Sequence, residues 1–349
     1  MSKAAELAAL IGSGQAQGDR NLIINGEHKV SQRGTSFTAQ GANAQPYFTD
    51  RWNVFSGGTS AGRFTATQEA ITDLAGFKYA LKLDCTTADT SIGADEQLSI
   101  IQTIEAQNLQ HLKFGTSDAV SLTYSFFAKA NAAKTYIAEL YTADSLKSQS
   151  HAFTVTTSWQ RFEITFSATG ADAATINNDN GQGMFVLIDI HAGSNLTSGT
   201  INSTWAAATQ ANRMVGCGSF YSSTDNTFFM TGAQLEIGDV ATPFEHENFG
   251  TTLAKCQRYF TDFLLSANNY MWCCVITNTN TYRRASVTLP VQMRASATGI
   301  ITAVTNGTFG GSYPLLEGNN KVQEVNIAGD VTATSAYAYF TKLQLDAEL

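Results

Sequence analysis

The sequence predicts an all-β fold, in which an antiparallel β-sandwich is followed by a smaller antiparallel β domain and preceded by a short helix. Short apolar or alternating runs recur along the chain, and turns rich in Gly, Asn and Thr separate them. In RFEITF at residues 161–166, Phe162, Ile164 and Phe166 alternate with polar side chains, which is the period of a half-buried strand. Several such strands in succession are typical of a sandwich.

The composition narrows the class of protein before any motif is considered. Of the 349 residues, 43% are hydrophobic and only 14% are charged, against roughly 25% charged in typical soluble domains. The polar surface must therefore consist mainly of Ser, Thr, Asn, Gln and Gly. Such an uncharged surface suits β-rich extracellular or virion proteins better than a helical cytosolic enzyme.

The distribution of charge argues against a nucleic-acid partner. The formal net charge is -8, and Lys and Arg are scattered rather than clustered as phosphate binding requires. No apolar run approaches the ~20 residues that span a bilayer. The first residues also lack the basic and apolar regions of a signal peptide. We therefore expect neither a nucleic-acid partner nor membrane insertion.

The cysteines predict free thiols rather than a zinc site. Their number is odd and no C-x-x-C pair occurs, whereas zinc ligands come in closely spaced pairs. We expect buried free thiols, which fits assembly in a reducing bacterial cytoplasm. The five cysteines are Cys85, Cys217, Cys256, Cys273 and Cys274.

Residues 1–20 are the first predicted domain, a helix and linker that anchor or oligomerise the chain. SKAAELAALI at residues 2–11 predicts a short helix that Ser2 caps and that carries one narrow apolar stripe. A single helix of this length is marginal in water. We expect it to pack against another copy of itself or against a socket on another protein. The following GSGQAQGDR predicts a flexible connector.

The β-sandwich is predicted to extend from residue 21 to residue 245. Pro243 marks its exit, because proline cannot donate a hydrogen bond to a strand ladder. The predicted strands are residues 22–24, 80–83, 98–104, 121–128, 135–141, 161–166, 184–191 and 227–237.

Residues 246–349 are predicted to form the smaller β domain. Thr251 or Thr252 is expected to cap a short helix at its start. Near the end of the chain, Leu343, Leu345 and Ala347 alternate with polar residues, as in a half-buried strand. The predicted strands are residues 257–265, 271–277, 285–293, 299–304, 321–327 and 335–349.

Three ordered motifs resemble those of tail-fibre and other virion structural proteins of tailed bacteriophages. The resemblance covers residues 21 to about 296. Two segments within it resemble the aromatic strand and the W-x-R-F strand of jelly-roll carbohydrate-binding modules, at residues 121–142 and 156–168. The three motifs are NLIINGEHKVSQRGTSF with FTDRWNVF (21–37 and 48–55), QLEIGDVATPFEH with CQRYF (234–246 and 256–260), and LPVQMRAS (289–296).

The resemblance implies an antiparallel jelly-roll β-sandwich and a non-enzymatic virion structural protein. That protein would be a tail fibre or fibre-like appendage that takes part in host-surface attachment and contacts host-surface glycan. The resemblance further implies a homotrimer that attaches to other phage tail or virion proteins through its N-terminus. Assembly would occur in the host cytoplasm, and the final location would be the virion tail. The alternatives are a glycan-binding adhesin module and a capsid-attached fibre or decoration protein.

No arrangement of residues predicts catalysis or a cofactor. The histidines occur in neither a G-x-S-x-G nor an HExxH context, and the glycine-rich FSGGTSAGR lacks the G-K-[ST] of a phosphate loop. His191, at the end of an apolar strand, is expected to form hydrogen bonds at a sandwich edge. Asp189 is expected to be a paired or hydrogen-bonded structural residue, because an isolated buried carboxylate is costly. A glycan depolymerase would need two carboxylates across a groove, and it is the least supported alternative.

One segment offers candidate ligands for a cation. Asn178, Asp179 and Asn180 in TINNDNGQG present the hard oxygen donors that calcium prefers. Only one carboxylate lies in this stretch, so a plain Asn/Gly turn is the favoured interpretation.

The candidate carbohydrate-binding residues are Trp205, Tyr221 and Tyr270, because sugar binding uses exposed aromatic faces. Trp205 lies in a long polar stretch without a strand pattern. A large aromatic residue there is either a ligand contact or a plug packed against a neighbouring subunit. Trp159, in contrast, is expected to be a core residue.

Overall fold

The computed structural model describes residues 20–41, 43–264, 271–275, 283–305, 315–317, 324–329 and 337–349. The predicted helix at residues 2–11 and the candidate Tyr270 lie outside these ranges. The chain divides into two compact units, Met1–Glu247 with Leu349, and Asn248–Glu348. The domain limits placed at residues 20 and 245 stay predictions.

The first unit is a sandwich of two six-stranded antiparallel sheets. Its strands are β1 (Ser36–Gly41), β2 (Asn53–Gly57), β3 (Arg63–Ala70), β4 (Tyr79–Thr87), β5 (Gln97–Glu105), β6 (Leu122–Ala130), β7 (Lys134–Thr142), β8 (Lys147–Val155), β9 (Gln160–Phe166), β10 (Gln182–Ala192), β11 (Ala206–Ala207) and β12 (Thr227–Ile237). The first sheet has the order β1-β3-β4-β12-β6-β9, and the second has the order β11-β8-β7-β10-β5-β2.

The strand order is that of a jelly roll. In the first sheet β4, β12, β6 and β9 are neighbours, and in the second sheet β5, β10, β7 and β8 are neighbours. Successive strands of this eight-stranded set lie mostly in opposite sheets, as two interleaved Greek keys require. The predicted fold class, an all-β antiparallel jelly roll, is confirmed.

Aromatic side chains from both sheets meet in the core. Phe126 of β6 contacts Phe153 of β8 with ring centroids 5.1 Å apart, and Tyr136 of β7 contacts Phe228 of β12 at 5.5 Å. All four side chains are buried. Burial of each such side chain stabilises the fold by about 1.5–3 kcal/mol.

Strands with an apolar face are found where the sequence predicts them, apart from shifts at their ends. The alternation at residues 161–166 is confirmed, since its apolar side chains pack on the core while Glu163 is exposed. Alternation does not predict β8, because the polar Gln149 and His151 lie opposite core residues of β7.

Residues 22–24 are not a strand, and this part of the prediction is wrong. Oδ1 of Asn21 accepts the backbone N–H groups of Ile23 and Leu235, at 3.0 and 3.1 Å. Asn25 then adopts a left-handed backbone conformation with φ of 58°. Side-chain hydrogen bonds of asparagine thus replace a regular ladder in this segment.

The connection between β10 and β12 folds across the outer face of the second sheet. Leu196 and Met214 from this connection pack against Ile137 of β7. As a result, Asp189 is fully buried although it does not point into the sandwich core. The short helical segments of the first unit are Ala106–Leu112, Ala171–Ala173, Ser194–Thr197, Gln210–Asn212 and Phe220–Ser222.

The second unit starts with the helix Phe249–Gln257. Oδ1 of Asn248 accepts the N–H of Thr251 at 2.9 Å, so Asn248 is the N-cap and the prediction of a threonine cap is wrong. The strands that follow are β13 (Phe260–Leu264), β14 (Met271–Val275), β15 (Arg283–Thr288), β16 (Thr298–Thr305), β17 (Leu315–Glu317), β18 (Glu324–Gly329) and β19 (Tyr337–Asp346). β19 pairs with β13, β14 and β16, and a separate sheet has the order β15-β18-β17.

The LPVQMRAS motif holds the ends of this second unit together. The backbone N–H of Arg294 donates to the carbonyl of Arg258 at 2.8 Å, and its Nε donates to the carbonyl of Ala347 at 2.8 Å. Leu343, Leu345 and Ala347 are buried, which confirms their predicted alternation.

Candidate functional site

The opening motifs of the sandwich form one buried hydrogen-bonded cluster. Nδ2 of Asn25 donates to the carbonyls of Val30 and Asp50, at 2.9 and 3.0 Å, and the carbonyl of Asn25 accepts the Trp52 indole at 3.1 Å. The Asp50 carboxylate accepts the backbone and the side-chain N–H of Gln32, at 2.8 and 2.5 Å. Asn25, Asp50 and Trp52 are buried, so they hold the fold and present no surface to a ligand.

The exit motif forms a second cluster of the same kind. Glu236 accepts the backbone N–H and the hydroxyl of Thr242, at 2.8 and 2.7 Å. Gln234 accepts the backbone N–H of Glu245 at 2.8 Å. Both Glu236 and Gln234 are buried on β12. These residues therefore close the sandwich, and a functional surface has to be sought elsewhere.

Two of the three predicted carbohydrate-binding residues, Trp205 and Tyr221, are buried. Trp205 is 5% exposed and packs edge-on against Phe114, with ring centroids 5.0 Å apart. Tyr221 is fully buried, with its ring 5.0 Å from that of His191. The expectation of exposed ring faces is corrected for both residues, because the connection that carries them folds onto the sandwich. Tyr270 lies outside the described residues.

The calcium candidates lie in an exposed turn. Oδ1 of Asp179 accepts the N–H of Gly181 at 2.8 Å, so this carboxylate already caps its own turn. Asn178 and Asn180 are exposed beside it. Among the residues that the structure describes, no group of three or more His, Cys, Asp or Glu could hold a metal ion. The geometry favours the plain turn.

Three cysteines lie in the described part of the first unit and the helix that follows it. Cys85 and Cys256 are buried and Cys217 is half-buried, and none of the three forms a disulfide. Burial raises the pKa of Cys85 to about 11, so this thiol stays protonated and unreactive at neutral pH.

In the part of the chain that the structure describes, none of the helices has the length and apolar composition needed to span a membrane.

Several charged side chains lie beneath the connection between β10 and β12, which covers the outer face of the second sheet. Nη2 and Nε of Arg213 lie 2.7 and 2.9 Å from the carboxylate oxygens of Glu139 on β7. Asp189 on the neighbouring β10 accepts the Ser99 hydroxyl at 2.5 Å, and its Oδ2 has no hydrogen-bond partner in the described part of the chain. Burial, followed by the Glu139 charge, raises the pKa of Asp189 to about 8. The Glu139 and Asp189 carboxyl groups are fully buried, and the pair of Arg213 with Glu139 fixes the connection on the sheet.

An aromatic–lysine patch lies on the outer face of the first sheet and consists of Trp159, Phe229, Lys82, Lys129 and Asp73. The rings of Trp159 and Phe229 are T-shaped with centroids 6.2 Å apart, and the Lys129 ammonium lies 4.8 Å from both centroids. The Lys82 ammonium lies 5.4 Å from the Phe229 centroid. Asp73 accepts the Trp159 indole N–H at 3.0 Å and forms an ion pair with Lys129.

The register of three strands builds the aromatic–lysine patch. Phe229 of β12 lies opposite Lys82 of β4 on one side and opposite Lys129 of β6 on the other. Because Phe228 faces the core, Phe229 points to the outer face of the sheet. Trp159 immediately precedes β9 and is half-buried on this outer face. It also packs against the small hydrophobic cluster of Ile71, Phe77 and Ala80, so its predicted packing role near a strand start is confirmed, although this cluster is separate from the main sandwich core.

The charges of the aromatic–lysine patch are balanced when the neighbouring Asp84 is included. Nζ of Lys82 lies 3.0 Å from Asp84, and Lys129 pairs with Asp73, so each ammonium has a carboxylate partner. The Lys129 ammonium, followed by the Trp159 indole, holds the pKa of Asp73 below its ordinary value. The patch thus combines apolar ring faces with hydrogen-bond donors and acceptors, as polyhydroxylated ligands require.

Comparison with known proteins finds structural neighbours and no sequence family. No protein-family model matches the sequence, and no curated protein does. One similar solved structure is the enzymatically active domain of tailspike protein 4 of bacteriophage CBA120, with a TM-score of 0.30, 11% identity, and coverage of 63% of this chain and 22% of that chain. The chain thus spans less than a quarter of that tailspike chain.

Two further structures are matched over nearly their whole length. TmCBM61 in complex with beta-1,4-galactotriose has a TM-score of 0.27 and 11% identity, with 63% of this chain and 100% of that chain covered. The CBM22-1 xylan-binding domain from Paenibacillus barcinonensis Xyn10C has a TM-score of 0.27 and 12% identity, with 59% of this chain and 94% of that chain covered. The jelly-roll assignment itself rests on the strand order given above.

Proposed function

We propose that the chain is a saccharide-binding attachment module and that the aromatic–lysine patch is its binding face. The observation that carries this proposal is the half-buried pair of Trp159 and Phe229 rings on the outer face of the first sheet. Aromatic faces stack on the C–H faces of pyranose rings, while the neighbouring ammonium and carboxylate groups bond to hydroxyls. The balanced charge of the patch favours a neutral or mixed-charge polysaccharide over a strongly acidic one.

We further propose a structural role for this module in the virion of a tailed bacteriophage, as a tail fibre or fibre-like appendage that attaches to the host. The ordered motifs from NLIING to LPVQMRAS support this setting. The chain would be a homotrimer, assembled in the host cytoplasm and joined to other tail or virion proteins through residues 1–20. A capsid-attached fibre or decoration protein is the alternative, and copurification with heads rather than tails distinguishes the two.

Saccharide binding is tested by applying the purified full-length protein to an array of bacterial surface polysaccharides. We expect the wild-type protein to bind at least one of them, and Trp159→Ala and Phe229→Ala to bind at least about tenfold more weakly, which is about 1.4 kcal/mol. Phe185→Ala is the matched control, because Phe185 is a half-buried aromatic residue on the outer face of the second sheet. Thermal unfolding of each variant establishes that the fold is kept.

Two results would overturn the proposal. The first is the absence of wild-type binding to every polysaccharide on the array. The second is an equal loss of binding in Phe185→Ala and Trp159→Ala, since the aromatic–lysine patch would then have no special part in binding.

A further inference from the structure

A hydrogen-bonded relay of serine, histidine and glutamate lies at one end of the sandwich. Nδ1 of His191 lies 2.9 Å from Oγ of Ser219, and Nε2 of His191 lies 3.0 Å from Oε2 of Glu96. His191 and Glu96 are buried, whereas Ser219 is half-buried. Ser219 is therefore the member of the relay that a ligand can reach from solvent.

A β-bulge sets the direction of the imidazole. The register of β10 against β5 shifts between Asp189 and His191, and this shift places His191 opposite the core residue Leu98. Tyr221 packs edge-on against the imidazole with ring centroids 5.0 Å apart. Bulges re-aim side chains and are frequent next to functional sites. The expected position of His191 at a sandwich edge is corrected, because β10 is an inner strand of its sheet.

Backbone contacts hold the two other members of the relay. Oε1 of Glu96 accepts the N–H of Gly93 at 2.9 Å, which leaves Oε2 to His191. The carbonyl of Ser219 accepts Nζ of Lys134 at 3.1 Å, immediately before the helical turn Phe220–Ser222. These contacts fix the positions of Glu96 and Ser219, and thereby the distance of each from His191.

The three groups form a consistent chain of donors and acceptors. In the tautomer that these bonds assign, the Nε2–H of the neutral imidazole donates to the Glu96 carboxylate, and Nδ1 accepts the O–H of Ser219. Burial lowers the pKa of His191, while Glu96 and then Asp89 act to raise it. The imidazole is thus neutral at pH 7 and can accept a proton. A hydroxyl, a base and a carboxylate that orients the base are the parts of an activated nucleophile.

We propose that Ser219 is a nucleophile that cleaves carboxylic esters, with His191 as its general base and Glu96 as a positioning residue. His191 takes the hydroxyl proton as Oγ bonds to the ester carbonyl carbon. The bond from that carbon to the leaving alcohol then breaks, and the alcohol takes the proton from His191. Water attacks the acyl-serine in the same way, and its proton passes through His191 to Oγ as the acid leaves. The net reaction converts an ester and water into an acid and an alcohol.

This activity is independent of saccharide binding by the aromatic–lysine patch, so either proposal can fail alone. It also departs from the sequence-based expectation of a non-enzymatic protein. The relay has no short motif, because Glu96 and Ser219 lie 95 and 28 positions from His191 in the sequence.

A fluorophosphonate probe tests the proposal, because it phosphonylates activated serine hydroxyls and peptide mass mapping locates the adduct. We expect an adduct on Ser219 in the full-length wild-type protein, none in Ser219→Ala, and labelling about 10²-fold slower in Glu96→Gln. Ser223→Ala is the matched control, because Ser223 is a half-buried serine directly after the helical turn and its hydroxyl accepts the backbone N–H of Asp225 at 3.1 Å instead of contacting His191 or Ser219. This control should be labelled at the wild-type rate.

The pH dependence of labelling separates an active relay from a structural one. The titratable groups around His191 are Glu96, Asp89 and Tyr221, and burial raises the pKa of Tyr221 to about 12, so this phenol stays neutral. Labelling should rise with pH through a midpoint below the ordinary histidine pKa of 6.5. In Glu96→Gln the midpoint should move to lower pH, because a group that raises the pKa of His191 is lost.

Two outcomes would overturn the nucleophile proposal. One is the absence of an adduct on Ser219 in the wild-type protein. The other is a Glu96→Gln protein that is labelled at the wild-type rate with the wild-type pH profile.

Discussion

The backbone N–H of Asn21 donates to Oε2 of Glu245 at 3.1 Å, across 224 positions of sequence. The side chain of Asn21 also donates to the carbonyl of Ala233 at 3.2 Å, and Arg20 donates to the carbonyl of Pro243 at 3.0 Å. The residues that carry the resemblance to virion proteins thus tie the start of the sandwich to its exit. We infer that they specify the fold and that ligand binding depends on other residues.

Gly26 should tolerate no side chain, because it lies where the start of the sandwich meets the strand that leads to its exit. An added Cβ would lie 2.0 Å from the carbonyl oxygen of Ala233. We expect Gly26→Ala to destabilise the sandwich by about 1–3 kcal/mol, seen as a lower urea midpoint. Gly250→Ala is the control, since an added Cβ there makes an ordinary contact at 3.4 Å. An unchanged midpoint in Gly26→Ala would contradict the close approach of these two segments.

Asp189 should make the first unit less stable as pH rises. Burial and the Glu139 charge raise its pKa to about 8, above the ordinary 3.8. Between these values the folded chain holds a proton that the unfolded chain has lost. The stabilisation is therefore complete below about pH 4 and is lost as pH rises toward 8, with a slope of up to about 1.4 kcal/mol per pH unit.

Urea unfolding between about pH 5 and about pH 8 measures this effect. Asp189→Asn should show a flatter dependence on pH than the wild-type protein, whereas Asp225→Asn, at an exposed carboxylate, should behave as the wild type. Identical pH profiles for Asp189→Asn and the wild type would show that the buried carboxyl does not hold the extra proton.

Arg213→Ala should destabilise the first unit strongly. It would leave the fully buried Glu139 carboxylate without the bidentate partner that now lies 2.7 Å away. Loss of one partner of a buried ion pair costs about 3–5 kcal/mol, and thermal unfolding measures it. Glu163→Ala is the control, because the Glu163 carboxylate is 49% exposed in its pair with Arg161, and about 1 kcal/mol or less is expected. Similar losses of thermal stability in Arg213→Ala and Glu163→Ala would refute a special role for the pair of Arg213 and Glu139.

The full-length protein should be a trimer, with residues 1–20 as its anchor or oligomerisation element. Light scattering on the full chain and on a chain that begins at Asn21 measures both masses. A trimer that dissociates in the shortened chain assigns oligomerisation to residues 1–20. A trimer that persists assigns it to the β domains, and a monomer in both cases would contradict the fibre setting.

Most of the predicted strands follow apolar and polar alternation, but β3 lies outside the predicted strands although its core residues Phe64 and Ala66 alternate with polar ones. β12 has the predicted bounds, and the apolar face of residues 161–166 is as predicted. β8 could not be predicted, because Gln149 and His151 face inwards and bond to each other at 3.1 Å. Polar side chains that satisfy each other in the interior have the same pattern as an exposed segment.

The candidate sites could not be predicted, because strand register and loop placement assemble them. Phe229, Lys82 and Lys129 come from three strands, and only the pairing of those strands brings them together. Trp205 and Tyr221 lie in a stretch whose polar composition gives no sign that it packs on the second sheet. Sequence reasoning identified aromatic residues as the relevant type but selected Trp205 and Tyr221, whose rings are buried. The rings of Trp159 and Phe229, in contrast, are half-buried on the outer face of the first sheet.

The indole N–H resonance of Trp159 tests the central claim most directly. In proton–nitrogen correlation spectra recorded while the polysaccharide identified on the array is added, this resonance should shift saturably, because its hydrogen bond to Asp73 lies within the aromatic–lysine patch. The indole of Trp52, which is fully buried, is the internal reference and should not move. Saturable polysaccharide binding with an unchanged Trp159 resonance would contradict the assignment of this face as the binding site.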